Sequence, residues 1–70
     1  MVKKSETALQ GMQAICDYYG RSAATILKLQ REYGFPIRKD TGSWFGDRSL
    51  IDDWQKDYVA GRTERWLARP

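Results

Sequence analysis

The sequence has no histidine and a single cysteine, Cys16. The first absence removes the usual general base and the commonest metal ligand. The second leaves no partner for an intramolecular disulfide, and together they exclude a zinc finger. No apolar run approaches the roughly 20 residues of a membrane span, and the opening MVKKSETALQ has no apolar stretch of the signal-peptide kind. The cytoplasm is therefore the expected compartment. There is no internal repeat, no low-complexity tract, no glycine-rich phosphate loop and no nucleophile–base pair. A chain of 70 residues buries only about 60% of its unfolded surface and has little core from which to shape a pocket. The expectation is a protein that is not an enzyme, with no cofactor, no metal site and no small-molecule substrate. Asp52 and Asp53 do not alter this, because neighbours on a helix diverge by about 100° and cannot converge on a substrate. They read as a solvated or capping pair, and Cys16 as an inert core residue.

What is present is enough to fold. Hydrophobic residues make up 41% of the chain and aromatic residues 13%, including Trp44, Trp54 and Trp66, so a single ordered domain is expected. The net charge of +3 is modest but unevenly spread. From Arg21 to Lys39 five cations face only Glu32, a net +4; from Asp40 to Asp57 five acids outnumber Arg48 and Lys56, a net −3. One part of the molecule is set up to face anions and another is not.

Apolar spacing and punctuation divide the chain. Residues 1–10, with Lys3 and Lys4, read as a flexible basic arm containing at most a turn of helix near Ala8. Met12, Ile15, Cys16 and Tyr19 follow the i, i+3, i+4, i+7 rule and predict a helix over 12–19, stopped by Gly20. Ser22 is a good N-cap for a second helix over 23–33, whose Ile26, Leu29 and Tyr33 form the inward stripe with Leu27 and Gln30 beside it, and Gly34 ends it. In FPIRKDTGSWFG the period changes, Pro36 forbids helix, and DTG marks a turn, which predicts a hairpin pairing 36–39 with 43–46. Asp47 can cap a third helix over 48–60, carried by Leu50, Ile51, Trp54 and Tyr58 and closed by Gly61. The segment RTERWLARP, residues 62–70, is either a frayed basic tail or the start of a further helix. Its Trp66 and Leu67 are expected to be exposed, as a partner surface or as part of a longer protein.

Two short helices joined only by GRS bury narrow stripes against each other at a steep crossing, the geometry of a helix-turn-helix. That geometry needs a small residue at the approach (Cys16), a glycine in the turn (Gly20) and apolar residues three apart on the second helix (Ile26, Leu29). The outward face of the second helix is then Ser22, Ala24, Thr25, Lys28 and Arg31. A helix enters the major groove of DNA only if its leading side chains are compact, with longer cations behind to reach phosphates. Ala24 and Thr25 suit thymine methyls, and Lys28 suits guanine acceptors or a phosphate. Arg21 and Ser22 sit at the positive end of the helix dipole, where a phosphate is favoured. The hairpin tip RKDTGS is placed to act as a wing, sending Arg38 and Lys39 along the phosphate backbone or into the minor groove, with Asp40 opposing them.

The run GMQAICDYYGRSAATILKLQREYGFPIRK followed by GSWFGDRSLIDDW resembles the winged helix-turn-helix domains of the MerR-like/excisionase superfamily, found in phage excisionases, terminase small subunits and prophage regulators. The resemblance covers about residues 9–58: a short first helix, a G-R-S turn, a recognition helix, a G-F-P lead-in to the wing and a closing helix with ID-x-W. It implies a mainly α fold of three helices plus a two-stranded wing, in a domain spanning 11–61. It also implies double-stranded DNA as the partner, in excision, packaging or transcription regulation. By resemblance Arg21, Ser22, Ala24, Thr25 and Lys28 match recognition-helix positions, and Arg38 and Lys39 match the wing. The helix carries one lysine in its first turns where that family often carries more arginines. A single module buries roughly 600–1,000 Å² on DNA, so specific binding calls for a homodimer, tandem copies or a larger phage assembly. The rival expectation is a protein-interaction module with Trp66, Leu67 and Phe45 as exposed anchors.

Overall fold

Two tight glycine turns and a serine cap fix where the first helices begin and end. The structure, a computed structural model, describes residues 7–67. Helix α1 spans Met12–Tyr19 and α2 spans Ala23–Tyr33, the bounds the apolar spacing predicts. Gly20 ends α1 at φ 75° and donates its N–H to the Cys16 carbonyl at 2.7 Å. The Ser22 hydroxyl accepts the Thr25 N–H at 3.3 Å and starts α2, offsetting one of the donors that a helix N-terminus leaves unpaired.

Three short strands follow a different logic, set by pairing across the chain. Strand β1 is Ala8–Gln10, β2 is Ile37–Asp40 and β3 is Ser43–Asp47; they form an antiparallel sheet in the order β1-β3-β2. The hairpin lies one residue further along β2 than expected, because Pro36 has no N–H to give to a ladder. Its two-residue turn, Thr41 and Gly42, has positive φ at both positions, as the tight hairpin turns require. Over residues 8–10 a strand stands where a flexible arm is expected, Leu9 pairing with Gly46 and buried; the rest of the expected arm, with Lys3 and Lys4, lies outside the described residues. Helix α3, Arg48–Val59, starts on the Asp47 carboxylate, which accepts from the Ser49 and Leu50 N–H groups and from the Thr7 hydroxyl. One side chain thus caps a helix and ties down the strand beside it. A fourth helix, α4, spans Glu64–Leu67. The described residues make an α+β domain of four helices and a three-stranded sheet, with one strand more than the sequence predicts and with α4 taking the helical of the two alternatives for the tail.

The core lies where the sheet meets the helices. Leu9, Ile15, Ile26, Phe35, Ile37, Ile51 and Trp54 are buried, with Cys16, Leu29, Trp44 and Trp66 packed around them. At Gly46 on the central strand a Cβ would crowd Ile37 of β2 at 3.3 Å and just touch Ile15 of α1 at 3.4 Å. Trp54 meets Phe35 edge-on at 4.9 Å and stacks on Tyr58 at 4.7 Å, and its indole N–H donates to the Tyr33 carbonyl at 2.9 Å. Hydrogen bonds from Tyr18 to Asp52 and from Tyr19 to Gln55 join α1 to α3. Tyr33, Leu50 and Tyr58, expected on apolar stripes, are exposed. Tyr33 belongs to the last turn of α2, past the buried Ile26, where its ring leans edge-on against Tyr58 at 5.3 Å.

Trp66, expected to be exposed, is half-buried because α4 folds back onto the end of α2. Gly34 makes this contact possible: at φ 74°, its missing Cβ would otherwise sit 2.7 Å from the Trp66 carbonyl group. Gly20 has nearly the same backbone conformation, with open space where a Cβ would be. Gly20→Ala therefore introduces left-handed strain alone, about 1 kcal/mol. Gly34→Ala adds a collision with α4 and is expected to cost clearly more in urea unfolding; equal costs would mean that α4 does not dock there.

Candidate nucleic-acid interface

α2 offers two different sides because its apolar residues repeat with helical spacing. Ile26 is 0% exposed and fixes the inner side, while Arg21, Ser22, Ala24, Thr25, Lys28 and Arg31 are all exposed. The leading turn thus carries only compact side chains outward. Lys28 and Arg31 follow one and two turns behind Ala24, over about 10 Å of helix.

The hairpin modifies the expectation for Arg38 and Lys39. Successive strand residues point to opposite faces, so Arg38 and Lys39, both expected along the phosphate backbone or in the minor groove, leave the wing on different sides. Lys39 pairs with Trp44, its Nζ 5.9 Å from the ring centroid, whereas Arg38 pairs with Phe45 on the other face. Both are exposed. Between the end of α2, the hairpin and α4 lies an open groove of about 710 Å³ whose lining includes Arg31, Arg38, Lys39, Trp44 and Trp66. Among the described residues three cations and no carboxylate line it. Among the described residues none of Arg21, Lys28, Arg31, Arg38 or Lys39 has a carboxylate partner.

The three expected anchors of a protein-binding surface do not come together. Trp66 and Leu67 line the cationic groove. Phe45, 37% exposed, lies with Leu50, 47% exposed, in a shallower depression of about 220 Å³. Arg38 borders both hollows.

Asp57 escaped the sequence reading, which counted it only as one acid among five. It is 8% exposed and accepts the Trp66 indole N–H at 2.9 Å and the Arg65 Nε–H at 2.8 Å. It also pairs with Arg65 Nη2 at 2.7 Å and Arg62 Nη2 at 3.4 Å. The Trp66 hydrogen bond does most to hold its carboxyl below the ordinary value; burial opposes it, and Arg65 and then Arg62 reinforce it. The sequence signal was an acid followed by two arginines and a tryptophan just past Gly61. The tail is thus less free a cation source than its composition suggests.

No helix among the described residues is long and apolar enough to cross a membrane, and no cluster of three potential metal ligands occurs among them. Because the folded pKa of Asp57 is lowered, its contribution to holding α4 is present at neutral pH. It starts to fade as the pH approaches the ordinary 3.8 and is lost as the pH falls through the folded value. Acid titration followed by NMR is expected to move the Trp66 indole N–H signal below that pH, before the Trp54 indole signal responds. Simultaneous movement of both would mean that the carboxylate does not hold α4 separately from the core.

Comparison with family models, with curated proteins and with solved structures finds no match. What this surface does therefore has to be read from its own geometry and charge.

Proposed function

We propose that this chain binds double-stranded DNA as a winged helix-turn-helix module, with α1 and α2 as the helix-turn-helix pair and the β2–β3 hairpin as the wing. Ala24 and Thr25 approach base edges in the major groove, and Lys28 reaches guanine acceptors or a phosphate. Arg21 and Ser22 hold a phosphate at the α2 N-terminus, where unpaired N–H groups and the helix dipole favour an anion. Arg31, Arg38 and Lys39 meet the backbone alongside. The observation that carries the reading is that Ser22, Ala24, Thr25, Lys28 and Arg31 are all exposed on a helix anchored by Ile26, with cations that lack carboxylate partners among the described residues. The order of elements, two helices then a hairpin then a helix, is compatible with it. The superfamily resemblance points to a phage or prophage protein acting as terminase small subunit, excisionase or transcription regulator, and the size of one module to a homodimer or larger assembly on DNA.

A second reading, a protein-interaction module, keeps one observation in its favour: Phe45 and Leu50 are exposed together in a hollow of which the DNA reading uses only Arg38. Salt separates the two. Binding through about five phosphate contacts loses affinity with a log–log slope near −4 to −5, whereas an apolar contact hardly responds.

Fluorescence anisotropy with labelled duplexes tests the assignment. Lys28→Ala is expected to cost about 1–3 kcal/mol and to change sequence preference, while Lys39→Ala weakens all sequences alike and reduces the salt slope by about one. Equal losses for both variants on every duplex would remove α2 as the reader.

A further inference from the structure

The groove behind α2 has a third wall that a helix-turn-helix and wing do not require. Arg31 comes from α2, Arg38 and Lys39 from β2, Trp44 from β3, and Trp66 from α4. Three cations with no acid beside them among the described residues repel one another, and an anion between them relieves that repulsion. Phosphate fits this set, because a guanidinium offers its oxygens a planar fork and an ammonium a compact charge.

α4 has only four residues, far too few to be stable through its own hydrogen bonds. It stays beside the groove because Asp57 takes the Trp66 indole and the Arg65 and Arg62 guanidiniums, and because Gly34 leaves space for the Trp66 backbone. Arg65 lies over the Trp66 ring at 5.1 Å and braces it from the solvent side.

We propose that this groove is a phosphate site for a nucleic-acid strand, with Arg31 and Lys39 as its direct ligands and Asp57 as a positioning residue that holds α4 as its third wall. The inference rests on the DNA-binding reading and extends it: a duplex met by Ala24 and Thr25 at the front of α2 also lodges a backbone phosphate at its far end. The sign of the Asp57 effect is diagnostic. An acid near a phosphate site weakens binding by repulsion, so removing its charge alone should tighten the complex. If Asp57 works by seating α4, removing its charge loosens the complex instead.

The three tryptophans provide the readout. Trp44 and Trp66 line the groove, while Trp54 is buried with its indole N–H on the Tyr33 carbonyl and serves as the fold control. In an NMR titration of the full chain with random duplex at low salt, the Trp44 and Trp66 indole signals are expected to shift together with the Ala24 and Thr25 amides, the Trp54 signal staying in place. Replacing both Arg31 and Lys39 with Gln abolishes the two indole shifts and weakens binding about tenfold, leaving the Ala24 and Thr25 shifts at saturation. Asp57→Asn weakens binding about threefold despite the added net positive charge. Gly34→Ala, which changes no charge and displaces α4, does the same and serves if Asp57→Asn fails to fold.

Ala24 and Thr25 shifting while Trp44 and Trp66 stay still would overturn the groove site and leave α2 as reader. The reverse pattern would overturn α2 as reader while leaving the groove. Tighter binding by Asp57→Asn would end the positioning role. Titration with sodium phosphate or a nucleoside triphosphate distinguishes a strand from a free anion: a response at a lower phosphate concentration than the duplex requires would overturn the assignment to a strand.

Discussion

The indole of Trp54 is where the layers of this small domain meet. Its ring is fully buried against Phe35 and Tyr58, and its N–H closes the Tyr33 carbonyl at the end of α2. Truncating a buried tryptophan costs about 3–5 kcal/mol, and orphaning a buried polar group about 1–3 more. Set against the 5–15 kcal/mol that holds a typical domain together, this one contact decides whether α3 and α2 share a core. Trp54 ties α3 to the end of α2, Ile15 and Ile26 share the core that joins α1 to it, and none of these elements covers Ala24, Thr25 or Lys28. The exposure of Ala24, Thr25 and Lys28 is thus a consequence of how the core closes.

Charge is sorted by the same architecture. The cations of α2 and the hairpin have no carboxylate partners among the described residues, while Arg62 and Arg65 of the tail are drawn onto Asp57. An ion pair with one buried member needs several hydrogen bonds to offset desolvation, and Asp57 has them from Trp66, Arg65 and Arg62. The outcome, among the described residues, is a concentration of unpaired positive charge on α2 and the hairpin, with Arg31, Arg38 and Lys39 bordering the groove between them.

How much of this was legible in the sequence follows from the range of each interaction. The limits of α1 and α2 could be read because Gly20, Ser22 and Gly34 act on backbone within a few residues of themselves. β1 could not: three residues carry too little alternation to register as a strand, and their partners, Phe45 to Asp47, lie far along the chain. The docking of α4 depends on the absence of a Cβ at Gly34 and on a carboxylate across Gly61, so Trp66 looked like a free anchor when it is a half-buried one. The opposed faces of Arg38 and Lys39 are different, since the period of two in a strand already implied them. Of the candidate site, the outward face of α2 was readable from helical spacing, whereas the groove behind it depends on long-range packing.

The claim on which the functional reading stands is that the methyl groups of Ala24 and Thr25 lie against base edges when DNA is bound. Intermolecular NOEs in a complex with a thymine-containing duplex test it most directly. The expected result is contacts from the Ala24 and Thr25 methyls to thymine methyls and other major-groove protons. Contacts to DNA from Phe45 and Leu50, with none from Ala24 or Thr25, would contradict it.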